Sequence, residues 1–165
     1  MKSINDLSFT VLLTFLVLLV SCEKPDVSEN SNLVNSLHAN SSDTIEIGTS
    51  KYILETYLSR DFMPGYQHKR PLVALIYLVN IDSLPIPSNI DISKLYVIKD
   101  QLIWTSNPVD SNQPRVPDFK LDKLRNDGPE WDANIYVDVV AEVINKSTNE
   151  KILIIARQQK IKRLD

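Results

Sequence analysis

The sequence predicts an all-β protein, in which an antiparallel β-sandwich follows an N-terminal signal helix and a flexible tether. Three observations indicate this fold class. The chain contains about six to eight segments with strand composition, it shows little helical periodicity, and its strands do not alternate with helices as they would around a parallel sheet. Residues 44–165 form the sandwich domain in this interpretation, a length that suits one domain.

The first segment, residues 1–21, has the three parts of a secretory signal peptide. Lys2 supplies positive charge, residues 9–20 form an apolar run, and Ser21 is a small residue at the end. The run is shorter than the roughly 20 apolar residues that a membrane-spanning helix needs. An ordinary signal peptide cleaved elsewhere, or a single membrane anchor, is the alternative interpretation.

The sequence Leu-Val-Ser-Cys at residues 19–22 resembles the lipobox of bacterial lipoproteins. The resemblance implies cleavage between Ser21 and Cys22, followed by attachment of lipid to Cys22. This residue is the only cysteine in the chain, so it has no partner for an internal disulfide. We therefore expect an exported protein of the cell envelope that is held on a membrane by this lipid, with the outer membrane favoured over the inner one.

Residues 22–43 are predicted to be the lipidated cysteine and a disordered linker. Residues 23–43 include five serines and four asparagines but only four large apolar residues. Such a composition buries too little apolar surface to offset the entropy lost on ordering. A flexible chain of this length would have a root-mean-square span of about 25 Å and would lift the domain off the lipid.

The first strands of the domain are predicted from apolar alternation and turn residues. Residues 44–47 alternate and end at Gly48. Residues 51–63 have both helical spacing and strand-favouring side chains, and we interpret them as a strand that stops at the following Pro-Gly turn. Residues 72–81 are apolar almost throughout, which predicts a central strand covered on both faces or nearly so.

The remaining strands are predicted to form two hairpins and a short intervening element. Residues 94–98 and 102–105 flank a short turn, whereas residues 119–124 suit either one helical turn or a short edge strand. In residues 135–144, alternation places Val137 and Val139 in the core, and Tyr136, Val140 and Glu142 partly in solvent. Residues 151–156 begin the last strand, which residues 161–164 extend.

The strand pattern as a whole resembles an immunoglobulin-like sandwich, although the paired cysteines of that architecture are missing. Trp104 lies on a middle strand and is expected to be a core tryptophan. The resemblance concerns architecture alone and implies no activity.

The sequence offers no catalytic constellation, so we expect a protein that is not an enzyme and needs no cofactor. His68 is the only histidine of the domain and lies in a polar, cationic loop, where it has no evident nucleophile to activate. Asp138 and Glu142 share a strand face but lie about 13 Å apart along it, too far for a typical glycosidase pair. The net charge of −3 shows no excess of basic residues of the kind that nucleic-acid binding requires.

No metal site is predicted either. Asp127, Glu130 and Asp132 could offer oxygen atoms to calcium, but their spacing does not match the twelve-residue calcium loop. These acids are interpreted as turn and surface residues.

Three aromatic residues form a candidate binding loop. Phe62, Tyr66 and Trp131 fall at segment ends or in loops, where binding residues concentrate. Aromatic side chains in such positions can stack on sugars. The alternative is that they fill the core, which is the stronger interpretation for Trp131 because it directly precedes a strand.

Two segments resemble a group of small, uncharacterised lipoproteins of Gram-negative bacteria. They are Arg-Asp-Phe-Met-Pro at residues 60–64 and Gly-Pro-Glu-Trp at residues 128–131, and the similarity covers most of residues 58–165. The resemblance implies one lipid-anchored β domain and carries over no functional residue.

These observations lead to an expectation about function. We expect a lipid-anchored, non-enzymatic envelope protein whose β-sandwich binds an envelope protein or a polymer. The alternative is a carbohydrate-associated accessory module that binds a glycan, or a small hydrolase.

Overall fold

The computed structural model describes residues 24–64, 70–111, 113 and 116–165. Within these residues the elements are, in chain order, β1 (Asp26–Glu29), α1 (Ser31–Asn40), β2 (Ser41–Ser42), β3 (Thr44–Ile47), β4 (Ser50–Asp61), β5 (Val73–Asn80), β6 (Ile90–Lys99), β7 (Leu102–Ser106), β8 (Val109–Asp110), β9 (Lys120–Arg125), β10 (Tyr136–Asn145) and β11 (Glu150–Leu164). The predicted signal peptide, with Ser21 and Cys22, lies outside the described residues. No helix in the described part of the chain is long and apolar enough to cross a membrane.

The strands form one continuous sheet that curls into a half-barrel, so the all-β prediction is confirmed. The strand order is β1-β7-β6-β10-β11-β4-β5-β9-β8, with β2 beside β11 and β3 beside β4. Nearly all pairings are antiparallel, but β11 runs parallel to both β2 and β4. The immunoglobulin-like sandwich is not confirmed, because a single sheet supplies both layers of the core.

β11 is the strand that joins the two halves of the sheet. Its first part pairs with β10, and its last four residues pair with β4. Within its pairing with β10 the register shifts between Ala156 and Gln159, and Gln158 takes a positive φ of 53°. The N–H of Gln158 donates to Asp138 Oδ1 at 2.8 Å, which holds the irregularity in place. A bulge of this kind bends a strand and increases its twist, so it accounts for the curl at this point.

The main core fills the concave side of the curled sheet. Alternate residues of β5 point into it, and Ala74, Ile76 and Leu78 are fully buried. They face Val139 and Ile154 from the other half. On the opposite face of β5, Val73, Leu75 and Tyr77 are half-buried and Val79 is buried. The prediction of a central strand is therefore confirmed in position, since β5 lies between β4 and β9, and the cover on its second face is partial.

Residues 26–42 contain β1, α1 and β2, so the prediction of a disordered linker is wrong for this part of the chain. The side chain of Asn30 caps α1 by accepting from the N–H of Leu33 at 2.9 Å. Val34 and Leu37 are buried in a second apolar cluster, on the convex side of the sheet, which also contains Ile98, Ile103, Val140 and Ile155. The sheet therefore supplies the apolar surface that the composition of this segment lacks.

The other strand predictions are largely confirmed. Residues 50–61 are strand rather than helix, and residues 120–125 are a strand that pairs with β5 and β8. The last strand does extend to Leu164. On β10, Val137 and Val139 are buried as expected, but Val140 is also fully buried because α1 covers it.

Candidate functional site

Two grooves lie where the ends of the strand order approach each other. The first has a volume of about 270 Å³ and is lined by parts of β6, β8 and β9. The second has a volume of about 470 Å³ and is lined by β7, the end of β9 and the residues around Lys24. Because β6 and β7 lie toward one end of the order and β9 and β8 at the other, the grooves mark the open side of the half-barrel. We call this side the seam.

Lys123 is the central charge of the first groove. The alternation of β9 puts it on the inner face, and it is only 6% exposed. Its Nζ lies 2.7 Å from Asp91 Oδ1 and 2.6 Å from Asp110 Oδ1. The other carboxylate oxygen of Asp91 is 2.6 Å from Lys146 Nζ. The buried ammonium therefore has the carboxylate partners that its desolvation requires.

This network favours the charged form of both central partners. Burial by itself lowers the pKa of Lys123, but hydrogen bonds to Asp110 and Asp91 outweigh burial, and the net pKa is raised. Burial by itself raises the pKa of Asp91, but hydrogen bonds from Lys123 and Lys146 reverse the effect, and the net pKa is lowered. Neither group is tuned toward neutral pH, where a general acid or base works best. The network suits a structural bridge across the seam.

The second groove contains a buried tryptophan, Trp104, and an arginine held by an ion pair, Arg125. Trp104 is 1% exposed, and a Cβ on Gly128 would lie 2.8 Å from its ring, so the loop can pass here only because residue 128 is glycine. Arg125 donates from Nε to Asp127 Oδ1 at 2.7 Å and from a second nitrogen to Oδ2. Ser106 also lines the groove, and its hydroxyl oxygen is buried without a hydrogen-bond partner among the described residues.

Three arginines surround the ring of Phe62 near the ends of β4 and β11. The guanidinium carbons of Arg163, Arg70 and Arg60 lie 4.3, 5.0 and 5.1 Å from the ring centroid. Register explains part of this geometry, because Arg60 and Arg163 are paired across the parallel β4–β11 contact. We call these four residues the arginine cluster. Cation–π attraction holds like-charged groups together here.

Arg60 belongs to the interior of the cluster. It is 7% exposed, and its Nε donates to the carbonyl oxygen of Arg70 at 2.7 Å. Its Nη1 donates to the carbonyl oxygens of Glu130 at 3.1 Å and Trp131 at 2.6 Å. Arg60 thereby joins the two segments, residues 60–64 and 128–131, on which the lipoprotein resemblance was based.

The structure describes two of the three predicted binding residues and gives them different roles. Trp131 is 9% exposed and packs in the main core, so it is no open platform. Phe62 is half-buried, with the arginines of this chain over its ring. Tyr66 and His68 lie outside the described residues.

The described residues contain no group of three or more histidine, cysteine, aspartate or glutamate side chains that could hold a metal ion.

Asp138 and Glu142 each have their own partners. Glu142 accepts from Ser93 Oγ at 2.6 Å and lies 2.9 Å from Lys151 Nζ, whereas Asp138 binds the backbone of Gln158. Burial by itself raises the pKa of Glu142, but the bonds from Ser93 and Lys151 outweigh it, and the net pKa is lowered.

Sequence reasoning missed the arginine cluster and the seam. One signal was present for Lys123, because it shares the alternation of Leu121 and therefore had to face inward if this segment was a strand. No comparable local signal marks Arg70 or Arg163.

Comparison of this chain with protein-family models, with curated proteins and with solved structures finds no match. The resemblance to small envelope lipoproteins stays a prediction.

Proposed function

We propose that this protein is a lipid-anchored protein of the cell envelope whose β domain binds an acidic protein or an anionic polymer without catalysis. The observation that carries the binding proposal is the arginine cluster, in which three guanidinium groups converge on one half-exposed ring. The anchor rests on the lipobox resemblance at Cys22 and on the signal-like residues before it.

The cluster is suited to carboxylate or phosphate ligands because two of its arginines reach solvent. Arg163 is exposed, and its contact with Asp165 at 2.7 Å is a surface ion pair that a ligand could replace at little cost. The guanidinium group of Arg70 contacts the ring and forms no ion pair among the described residues, whereas Glu130 lies 3.8 Å from Arg60 Nη2 and accepts from the backbone N–H of Arg70. Planar guanidinium groups bind such anions through paired hydrogen bonds.

The alternative of a carbohydrate-associated module has less support. Sugar stacking needs an aromatic ring with an open face, but Trp131 is in the core and the ring of Phe62 carries arginines. An acidic polysaccharide remains within the proposal, since it would use the same guanidinium groups. The immunoglobulin-like arrangement stays a prediction, and the proposal does not depend on it.

Binding can be tested on immobilised polyglutamate, polygalacturonate and neutral dextran with the full lipidated protein in detergent. Replacing two arginines in Arg70→Gln/Arg163→Gln should weaken binding to at least one polyanion by about tenfold or more, the equivalent of one lost charge-assisted hydrogen bond. The control Lys51→Gln/Lys99→Gln removes the same charge elsewhere and should bind normally. Equal losses in both variants would contradict a local site, and binding to dextran alone would favour a neutral sugar.

The anchor is tested separately by labelling cells with radioactive palmitate. The protein should incorporate label, and Cys22→Ala should abolish the label and leave an uncleaved precursor, because it removes both the cleavage site and the acceptor sulfur. Normal incorporation in that variant would contradict lipid attachment at Cys22. This result would leave the polyanion experiment unaffected.

A further inference from the structure

We infer that the second groove of the seam, lined by Lys24, Lys94 and Arg125, holds the phosphate of an anionic lipid headgroup in the membrane that carries the protein. The inference rests on the proposed lipid anchor at Cys22. It concerns a different part of the molecule from the arginine cluster, so each can fail without the other.

Chain length brings the groove to the level of the headgroups. Lys24 follows Cys22 by two residues, and two extended residues span at most about 7 Å. The headgroup layer on each side of a bilayer is about 5–8 Å thick, the difference between a total of 40–45 Å and an apolar core of 30 Å. Lys24 therefore cannot lie far outside this layer once Cys22 is acylated.

The sheet begins immediately after Lys24, so the groove cannot move away on a tether. β1 starts at Asp26, which is paired with Thr105 of β7, and both residues line the groove. The sequence by itself predicts at this place a flexible linker with a root-mean-square span of about 25 Å. With β1 built into the sheet, the whole rigid domain has to stand close to the lipid surface, with this groove nearest to the anchor.

The chemistry of the groove suits a phosphate. Lys24 and Lys94 are exposed cations, and Asp127 holds Arg125 in a fixed position with two of its five N–H donors, which leaves the others for a ligand. Ser106 adds a buried hydroxyl that has no partner among the described residues.

Charge and size agree with this assignment. Three cations and two acids, Asp26 and Asp127, line the groove, and Asp127 is already paired with arginine. The volume of about 470 Å³ lies in the usual range for small-ligand sites. An anion that also carries acyl chains is available within a Debye length of Lys24, whereas a soluble anion has to be recruited from solution.

The test is lysine footprinting of the full lipidated protein with a membrane-impermeant amine reagent, read by mass spectrometry. The protein is compared in detergent, in phosphatidylcholine vesicles and in vesicles with about one third phosphatidylglycerol. Lys24 and Lys94 should react about fivefold more slowly in the anionic vesicles than in the other two, which matches the usual attraction of one lysine to an anionic surface. Lys51 and Lys99 are internal controls whose rates should stay unchanged.

Two variants sharpen the result. Lys94→Gln removes one exposed cation of the groove and should return the rate of Lys24 in anionic vesicles toward its rate in phosphatidylcholine. Lys99→Gln removes the same charge outside the groove and should leave the protection of Lys24 intact.

Each other outcome overturns the inference. Equal protection in both kinds of vesicle would mean simple shielding near a membrane. Protection in detergent by added inorganic phosphate to the same extent would mean a site for soluble phosphate. Unprotected lysines in palmitate-labelled protein would refute the headgroup site while the anchor stands, and absence of palmitate label would refute the anchor itself.

Discussion

The two halves of the curled sheet share one core but differ on their convex faces. The half built from β6, β10 and β11 is covered by α1, which buries Val34 and Leu37 against the sheet. The half built from β4, β5 and β9 has no such cover among the described residues, and its convex face carries the half-buried Leu75 and Tyr77 and the exposed Tyr57.

Charged side chains lie over the aromatic residues of the uncovered face. Lys120 Nζ lies 2.6 Å from Glu55 and 5.5 Å from the ring of Tyr77, and Lys162 lies 4.4 Å from the ring of Tyr57. Long cationic side chains can cover apolar surface with their stems while the charge stays in water. The apolar surface of one convex face is thus covered by a helix, and that of the other is covered by long side chains of the sheet itself.

The largest expected effect comes from removing the cover altogether. A mature chain that begins at Thr44 loses β1 and α1 and exposes Ile98, Val140 and Ile155. Loss of the two buried helix side chains alone should cost at least about 3 kcal/mol, a large part of a typical 5–15 kcal/mol. Urea unfolding against the full mature chain measures this. An unchanged midpoint would mean that α1 lies on the sheet without stabilising it.

A smaller effect is expected from one side chain on each face. Leu37→Ala, at a position 3% exposed, should lower the free energy of unfolding by about 2–4 kcal/mol, because it leaves a cavity under α1. Tyr77→Ala on the uncovered face removes more atoms but should cost about 1 kcal/mol or less, since its side chain is half in solvent. Thermal and urea unfolding of both variants measure these two losses of stability. Similar losses would erase the distinction between the faces.

The smallest expected effect is a change in pH dependence at the seam, where the two halves meet. The pKa of Asp91 is lowered in the fold, so its contribution is complete above the ordinary value of 3.8 and is lost as pH falls through the lower folded value. The pKa of Lys123 is raised, so its contribution is complete below 10.5 and is lost as pH rises through the higher folded value. Stability should therefore fall at both extremes of pH.

Asp91→Asn isolates the acid side of this profile. Melting temperatures between about pH 2.5 and 5 should fall less steeply in the variant than in the parent chain, because one linked carboxylate is gone. Glu46→Gln removes an exposed carboxylate, whose ion pair contributes little, and serves as the control. Parallel profiles for Asp91→Asn and the parent would mean that the ion pairs of the seam do not stabilise the fold.

Local patterns were enough to predict most strands. The alternation of residues 135–144 puts every second side chain on one face, and Val137 and Val139 are indeed buried. The same holds for the apolar run of β5 and for the hairpin of β6 and β7. Both could be predicted from the sequence because each depends on neighbours within a few residues. The lipobox resemblance is local in the same sense and predicts the anchor at Cys22 without any fold.

Contacts between residues that are far apart in the sequence were decided only by the tertiary structure. The helix α1 is ordered because it meets an apolar patch on β10 and β11, and its own composition could not show that patch. Arg60 reaches the carbonyl oxygen of Trp131 across 71 residues. Lys123 meets Asp91 from another strand. The physical reason is that burial and ion pairing depend on which surfaces the sheet brings together, and β11 contributes to this by pairing with both halves of the sheet.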